Sequence, residues 1–261
     1  MPVGTVPLYG DVTLAEPGTL FWAGDGPGGG DGIYRSTDGG DTWQLLTAGL
    51  PDLRVQQPVL ARSADEVYVV CKTGGILAWR PAEGRWQRIV EPPDAYSSPG
   101  SLSLAPDDTL FLVSSGDLRR SSDGGATWTP LQLPGDGGEI LAFSPEFAAD
   151  STLYGLWWRS AEGYRRHLMR STDAGATWRG IEAGLDLPDF VSNLQLIPHG
   201  DQLYLYLGDY LGDSQLYRSD DRGDHWDRAS GEAVQGTISM AIAPDGVIWL
   251  VDIEGNVRSL K

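Results

Sequence analysis

Apolar residues in this chain come in short runs broken by Gly, Pro, Asp and Ser, and no stripe of helical period persists. Ser101-Leu102-Ser103-Leu104 alternates polar and apolar positions, whereas Val67-Tyr68-Val69-Val70-Cys71 is continuously apolar. Runs of this length bounded by turn residues predict antiparallel strands, some half-buried and some buried on both faces. Thr109 to Val113 reads as a second strand after the Pro106-Asp107-Asp108 turn, and Leu118-Arg119-Arg120 as a third after Ser115-Gly116-Asp117.

An eight-residue pattern recurs on this background: STDGGDTW at 36–43, SSDGGATW at 121–128, STDAGATW at 171–178 and SDDRGDHW at 219–226. The last copy carries His225 where the others have Thr, and a shortened copy runs from Trp79 to Trp86. Trp43, Trp86, Trp128, Trp178 and Trp226 thus recur roughly every 45 residues, the length of one four-stranded propeller blade. The pattern predicts an all-β fold: a six-bladed β-propeller of four-stranded antiparallel blades in one domain, 1–261. The sixth unit (Thr237 to Met240, Val247 to Val251, Val257 to Ser259) lacks its outer strand. The segment Val3 to Leu8 is expected to supply it and close the ring, Pro7 being tolerable on an outermost strand. The alternative is that the chain is part of a seven-bladed propeller. The four box tryptophans are expected in equivalent surroundings.

The repeated residues suit a tight hairpin between third and fourth strands. Gly40, Gly125, Gly175 and Gly223 allow positive φ, and Asp38, Asp123, Asp173 and Asp221 can accept hydrogen bonds from nearby backbone N–H groups. Each Trp adds an apolar face to its blade. This chemistry is structural, and four identical loops on separate blades cannot converge on one ligand.

The boxes resemble the Asp-box, or bacterial neuraminidase repeat, of sialidases, xyloglucan-active glycosidases, sortilin-type receptors and the photosystem II assembly-factor family. The resemblance covers essentially the whole chain as a fold and implies a propeller; activity must be argued from a site. The Arg-Ile-Pro motif of sialidases has only Arg54-Val55-Gln56 as a counterpart, and the inner strands offer no further arginine pair. Glycoside hydrolysis needs two carboxylates facing across a cleft. Glu139, Asp189 and Asp209 are the loop candidates, in a chain whose turns are rich in acids.

Composition then removes whole classes of function. A formal charge of −17 with no basic cluster argues against nucleic-acid binding. Only Cys71 is present, so no intrachain disulfide forms. No apolar run approaches a membrane span, no leader is evident at Met1, and the compartment stays open between cytoplasmic and extracytoplasmic. A monomer is expected. The histidines 167, 199 and 225 show no metal spacing, and no catalytic triad can be traced, so no cofactor is expected. Gly24 to Gly29 matches G-x-G-x-x-G without a following helix; Asp25 and Asp31 in that loop are weak calcium candidates.

The candidate binding face is the one opposite the Asp boxes. Its most unusual loop joins Trp157, Trp158, Arg159, Tyr164, Arg165, Arg166 and His167 in blade 4, reads as longer than its counterparts, and is cationic and aromatic in an acidic chain. Arg54, Tyr96, Phe190 and Tyr210 are expected to extend the patch. Aromatic and Arg side chains dominate protein–protein hot spots, and exposed Trp or Tyr can stack on a sugar. The expectation is a non-catalytic propeller that binds a partner protein, with a glycan-directed protein, lectin-like or a diverged hydrolase, as the alternative. A strand hairpin with Trp157 and Trp158 alternating in and out is the competing structural reading.

Overall fold

A computed structural model describes residues 10–25, 31–51, 59–61, 63–71, 75–91, 100–114, 116–185, 187, 193–208, 214–230, 237–243, 245–252 and 254–260. It is a six-bladed β-propeller, almost without helix. Blade 1 is β1 (Gly10–Glu16), β2 (Thr19–Asp25), β3 (Asp31–Ser36) and β4 (Gln44–Leu45). Blade 2 is β5 (Leu60–Ala61), β6 (Val67–Cys71), β7 (Gly75–Arg80) and β8 (Arg85–Val90). Blade 3 is β9 (Ser101–Leu104), β10 (Leu110–Ser114), β11 (Asp117–Ser121) and β12 (Thr129–Leu131).

Blade 4 is β13 (Gly137–Phe143), β14 (Leu153–Arg159), β15 (Arg165–Ser171) and β16 (Arg179–Gly180), with a single helical turn, α1 (Phe147–Asp150), between its first two strands. Blade 5 is β17 (Asn193–His199), β18 (Gln202–Gly208), β19 (Gln215–Ser219) and β20 (Asp227–Ser230). Blade 6 shows β21 (Thr237–Ile242), β22 (Ile248–Asp252) and β23 (Val257–Leu260). Neighbours in sequence pair antiparallel throughout. The residues fall into two compact units, one holding blades 1–3 and the other blades 4–6. The Val3 to Leu8 segment expected to complete blade 6 lies outside the described residues.

The apolar pattern is explained by where each strand sits. The second strands of blades 2 and 5 are buried on both faces: every residue of Val67–Cys71 is buried, Cys71 included, as is Leu203–Gly208. Their side chains fill the clefts between successive blades. Phe21, Ile33 and Leu46 of blade 1 pack on Val67, Val69, Trp79 and Trp86 of blade 2, and Tyr154, Leu156 and Leu168 of blade 4 pack on Leu203, Leu205 and Trp226 of blade 5. Each fully buried side chain of this size contributes roughly 1.5–3 kcal/mol.

The Asp boxes close as the residues predict. Asp38 Oδ1 accepts the Thr42 N–H at 2.9 Å and Oδ2 accepts the Thr42 hydroxyl at 2.5 Å, while the Ser36 hydroxyl donates to Asp38 and accepts from the Gly40 N–H. The same set recurs around Asp123 and Asp173. In the fourth box the His225 ring replaces the Thr hydroxyl, with Nδ1 2.6 Å from Asp221 Oδ2. The boxes of blades 1, 4 and 5 are also tied to the turn between their blade's first two strands, by Gly39 N–H to Gly18 O, Ala174 N–H to Ser151 O and Arg222 N–H to Asp201 O. These bonds hold the aspartates ionised. The Thr side-chain bond, then the Thr backbone bond, lowers Asp38 and Asp123 to about 2.

The tryptophans are not equivalent, contrary to expectation. Trp43, Trp128 and Trp178 donate from Nε1 to their own box glycines, Gly40, Gly125 and Gly175. Trp226 is buried and donates to Ile181 O in the preceding blade, and Trp86 of the shortened copy donates likewise to Leu46 O. The cause lies one blade upstream. Blades 1 and 4 alone follow their box with Ala-Gly-Leu, at 48–50 and 183–185. This loop lays its backbone on the next blade's Trp: Ala48 O accepts the Trp86 N–H at 2.8 Å, and a Cβ on Gly49 would collide with Trp86 O. A Cβ on Gly184 would stand 2.9 Å from Trp226 O. The linker therefore decides which way the following indole turns.

Candidate binding site

The cationic hairpin of blade 4 is β14 and β15, paired from Leu153↔Ser171 to Arg159↔Arg165. Its inner neighbour explains the Trp pair. Gly137 and Gly138 of β13 stand opposite Trp158 and Trp157, and Cβ atoms on them would collide with those rings. Two glycines thus clear space for two indoles. Trp157 is 0% exposed and packs edge-on against Trp178 with centroids 5.0 Å apart; Trp158 is half-buried. Trp157 is therefore a core residue and offers no contact surface, because successive strand side chains alternate between faces.

The outward residues are Arg159, Tyr164 and Arg165, all exposed, with Arg166 and His167 partly buried. The hairpin tip is built by a 3-10 turn, Ser160–Glu162, followed by Gly163 and then Tyr164 at φ 63. Ser160 donates N–H and hydroxyl to Asp136 Oδ2 at 2.6 and 2.5 Å, and these bonds, the hydroxyl's first, lower Asp136. Arg159 Nη1 lies 3.3 Å from Glu162, and His167 sits with Nε2 2.9 Å from Glu162 and Nδ1 3.0 Å from Glu182. Glu162 is lowered by the Arg159 bond and then by His167. Arg165 forms no ion pair among the described residues. Tyr164 is 68% exposed, in a backbone conformation that side chains seldom adopt.

The hairpin is longer than its counterparts, as the sequence suggests: box Ser171 pairs with Leu153, whereas blades 1, 3 and 5 span only Leu20 to Ser36, Leu110 to Ser121 and Leu203 to Ser219. Its unpaired tip taken alone is not the longest. Residues 160–164 separate the last paired residues of blade 4, and residues 26–30 do the same between Asp25 and Asp31 in blade 1, an equal length. Blade 5 spans more, from Leu207 to Gln215. What sets the tip of blade 4 apart is its side chains. From Ile33 to Leu50 and from Leu168 to Leu185 the two blades match without a gap, box and Ala-Gly-Leu included. Yet the blade 1 loop is Gly-Pro-Gly-Gly-Gly where blade 4 has Ser-Ala-Glu-Gly-Tyr.

Beneath the hairpin lies an open pocket of about 320 Å³. Gln132, Leu133, Pro134, Arg159, Met169, Ala176, Thr177 and Trp178 line it. Beside it β16 pairs with β15 opposite Met169 and Arg170, and the Ile181 N–H to Leu168 O bond at 2.9 Å carries the contact one step further towards the tip. Sequence reasoning missed Leu133, Pro134 and Met169, which look like ordinary linker and strand residues.

Of the other residues expected in the patch, Arg54, Tyr96, Phe190 and Tyr210 lie outside the described residues, as do Asp189 and Asp209. Glu139 is an exposed strand residue on β13 opposite Leu156. Asp25 and Asp31 are Cα partners ending β2 and β3. Among the described residues no group of three His, Cys, Asp or Glu has metal-holding geometry, and no helix is long and apolar enough to cross a membrane.

Blade architecture and box chemistry together make this chain a β-propeller of the BNR/Asp-box type. The family pattern described as BNR/Asp-box repeat matches residues 34–45. The chain is 26% identical over 212 residues to xyloglucanase Xgh74A of Acetivibrio thermocellus, covering 64% of this chain and 24% of that protein. It is 24% identical over 276 residues to a probable oligoxyloglucan-reducing end-specific xyloglucanase of Neosartorya fischeri, covering 87% of this chain and 32% of that one. It spans about a quarter to a third of these curated relatives. Among solved structures, a GH74 xyloglucanase from Xanthomonas campestris superposes with a TM-score of 0.65 at 15% identity, over 93% of this chain and 43% of that one. YCF48 bound to D1 peptide does so with 0.57 at 15% identity, over 93% and 75%. At such identities these structures share the fold.

Proposed function

We propose that this protein is a non-catalytic recognition propeller that binds a partner protein through the blade 4 hairpin. One observation carries the reading. Blade 1 has the same box, the same Ala-Gly-Leu linker and a hairpin loop of equal length built from Gly and Pro, so the Tyr, Arg and His of blade 4 are not demanded by the scaffold. Exposed Tyr164 and Arg165 on a hairpin tip are the residue types that anchor protein interfaces. The peptide held by YCF48, a propeller of similar fold, supports the same reading.

The experiment compares wild type with Tyr164→Gly/Arg165→Asp by cross-linking and quantitative affinity mass spectrometry in extract of the source cells. Partners should be lost at least tenfold while the thermal melt is not lowered. Equal recovery by both forms would end the proposal.

A second reading, a glycan-directed protein, is favoured by the similarity to xyloglucanases. A glycan array with xyloglucan oligosaccharides, paired with a reducing-sugar assay, tests it. Binding or cleavage of xyloglucan that survives the hairpin substitutions would put this reading first.

A further inference from the structure

The blade 4 pocket has a mixed wall, with polar Gln132 and Thr177 and the cation of Arg159 beside a group of apolar side chains. Leu133, Pro134, Met169 and Trp178 supply its apolar part, and Trp178 presents no free donor because its Nε1 is committed to Gly175 O at 3.0 Å. At about 320 Å³ the space holds one bulky side chain and is too small for a folded element. Met169 is an unbranched side chain that adapts to an occupant's shape. Arg159 is held loosely: Nε and Nη2 reach Pro134 O at 3.4 and 3.3 Å, and Nη1 reaches Glu162 at 3.3 Å, all at the long end for hydrogen bonds. An incoming carboxylate offers this guanidinium a shorter, bidentate pair. Arg165, exposed and unpaired among the described residues, adds a second cation on the same hairpin.

We infer that this pocket receives a Phe- or Leu-sized side chain from an acidic segment of the partner protein, with a carboxylate next to that side chain pairing with Arg159. The inference rests on the hairpin being the recognition surface and names the chemistry that surface selects. A basic or uniformly polar segment is disfavoured, because it leaves Arg159 without a better partner and the apolar part of the pocket wet.

The test is a phage-displayed library of random dodecapeptides panned on the full chain. Each enriched peptide is then measured by calorimetry on wild type, Arg159→Gln, Ala176→Asp and Ala176→Trp. Ala176→Asp is expected to fold, because blades 1 and 5 carry Asp41 and Asp224 at that box position. Enriched sequences should share a large apolar residue beside Asp or Glu, and each variant should weaken them at least tenfold, with unchanged melts. Changing the apolar residue of the peptide to Ala should abolish binding. The inference is overturned if no such motif is enriched, or if the Asp and Trp variants bind as wild type does. If partner recovery fails with Tyr164→Gly/Arg165→Asp but survives Ala176→Trp, the pocket is irrelevant while the hairpin reading stands.

Discussion

Blades 1 and 4 share a scaffold and differ in what they display. Both follow the box with Ala-Gly-Leu, both pack a second-strand Trp edge-on against the box Trp, and both pass their linker to the Trp of the next blade. Between the second and third strands one loop is glycine and proline and the other presents Tyr164 beside Arg165. Where two regions meet the same folding demands, shared residues report those demands and divergent ones report something else. The shared set here is Trp, Asp, Gly and the Ala-Gly-Leu turn; the divergent set is the candidate surface.

The comparison breaks most visibly at the shared set. Gly49 sits at φ 83, where a Cβ would collide with Trp86 O, so Gly49→Ala combines backbone strain with a displaced clasp and should destabilise by about 3 kcal/mol. Gly184→Ala, whose Cβ would stand 2.9 Å from Trp226 O, should cost less, about 1–2 kcal/mol. Urea unfolding followed by Trp fluorescence measures both, and equal losses would show that the two clasps carry the same strain. At the divergent set the sign reverses. Tyr164→Gly puts glycine at φ 63 and should stabilise by up to about 1 kcal/mol while weakening partner binding. A loss of stability there would mean that Tyr164 serves the fold.

Smaller effects come from the box aspartates. Asp38 falls from 3.8 to about 2 through its Thr42 and Ser36 bonds, so its folded-state pKa is depressed. That contribution is complete above the unfolded value and is lost as pH falls through the folded one, a window from about pH 5 down to about pH 2. Asp38→Asn should flatten the stability profile in this window, lying below wild type near neutrality, where the carboxylate contributes fully, and converging on it near pH 2, as read by urea midpoints at a series of pH values. The smallest effect is at His225, which the Asp221 bond raises above 6.5. A raised histidine stabilises below its unfolded value and loses that contribution as pH rises through its folded one. Nitrogen-detected NMR should place its titration above 6.5, and His225→Thr should remove the pH dependence with little change in stability, since Thr42, Thr127 and Thr177 do the same work elsewhere.

The hairpin's place on blade 4 was legible in the sequence because its charges interrupt an otherwise acidic, glycine-rich pattern. Its anchoring was not. Trp157 and Trp158 read alike in a linear chain, and only the pleat, with Gly137 and Gly138 opposite, buries one and half-exposes the other. Met169 and Leu133 look like core and linker, and only the fold brings them to one pocket.

Local rules settled much of this protein before any contact was known. Strand runs, box turns and the blade period depend on neighbours a few residues away, and those neighbours are written in order along the chain. Direction was decided in three dimensions. Whether a box tryptophan bonds its own glycine or the previous blade depends on a linker some forty residues upstream, and a local pattern holds no record of what will be laid against it.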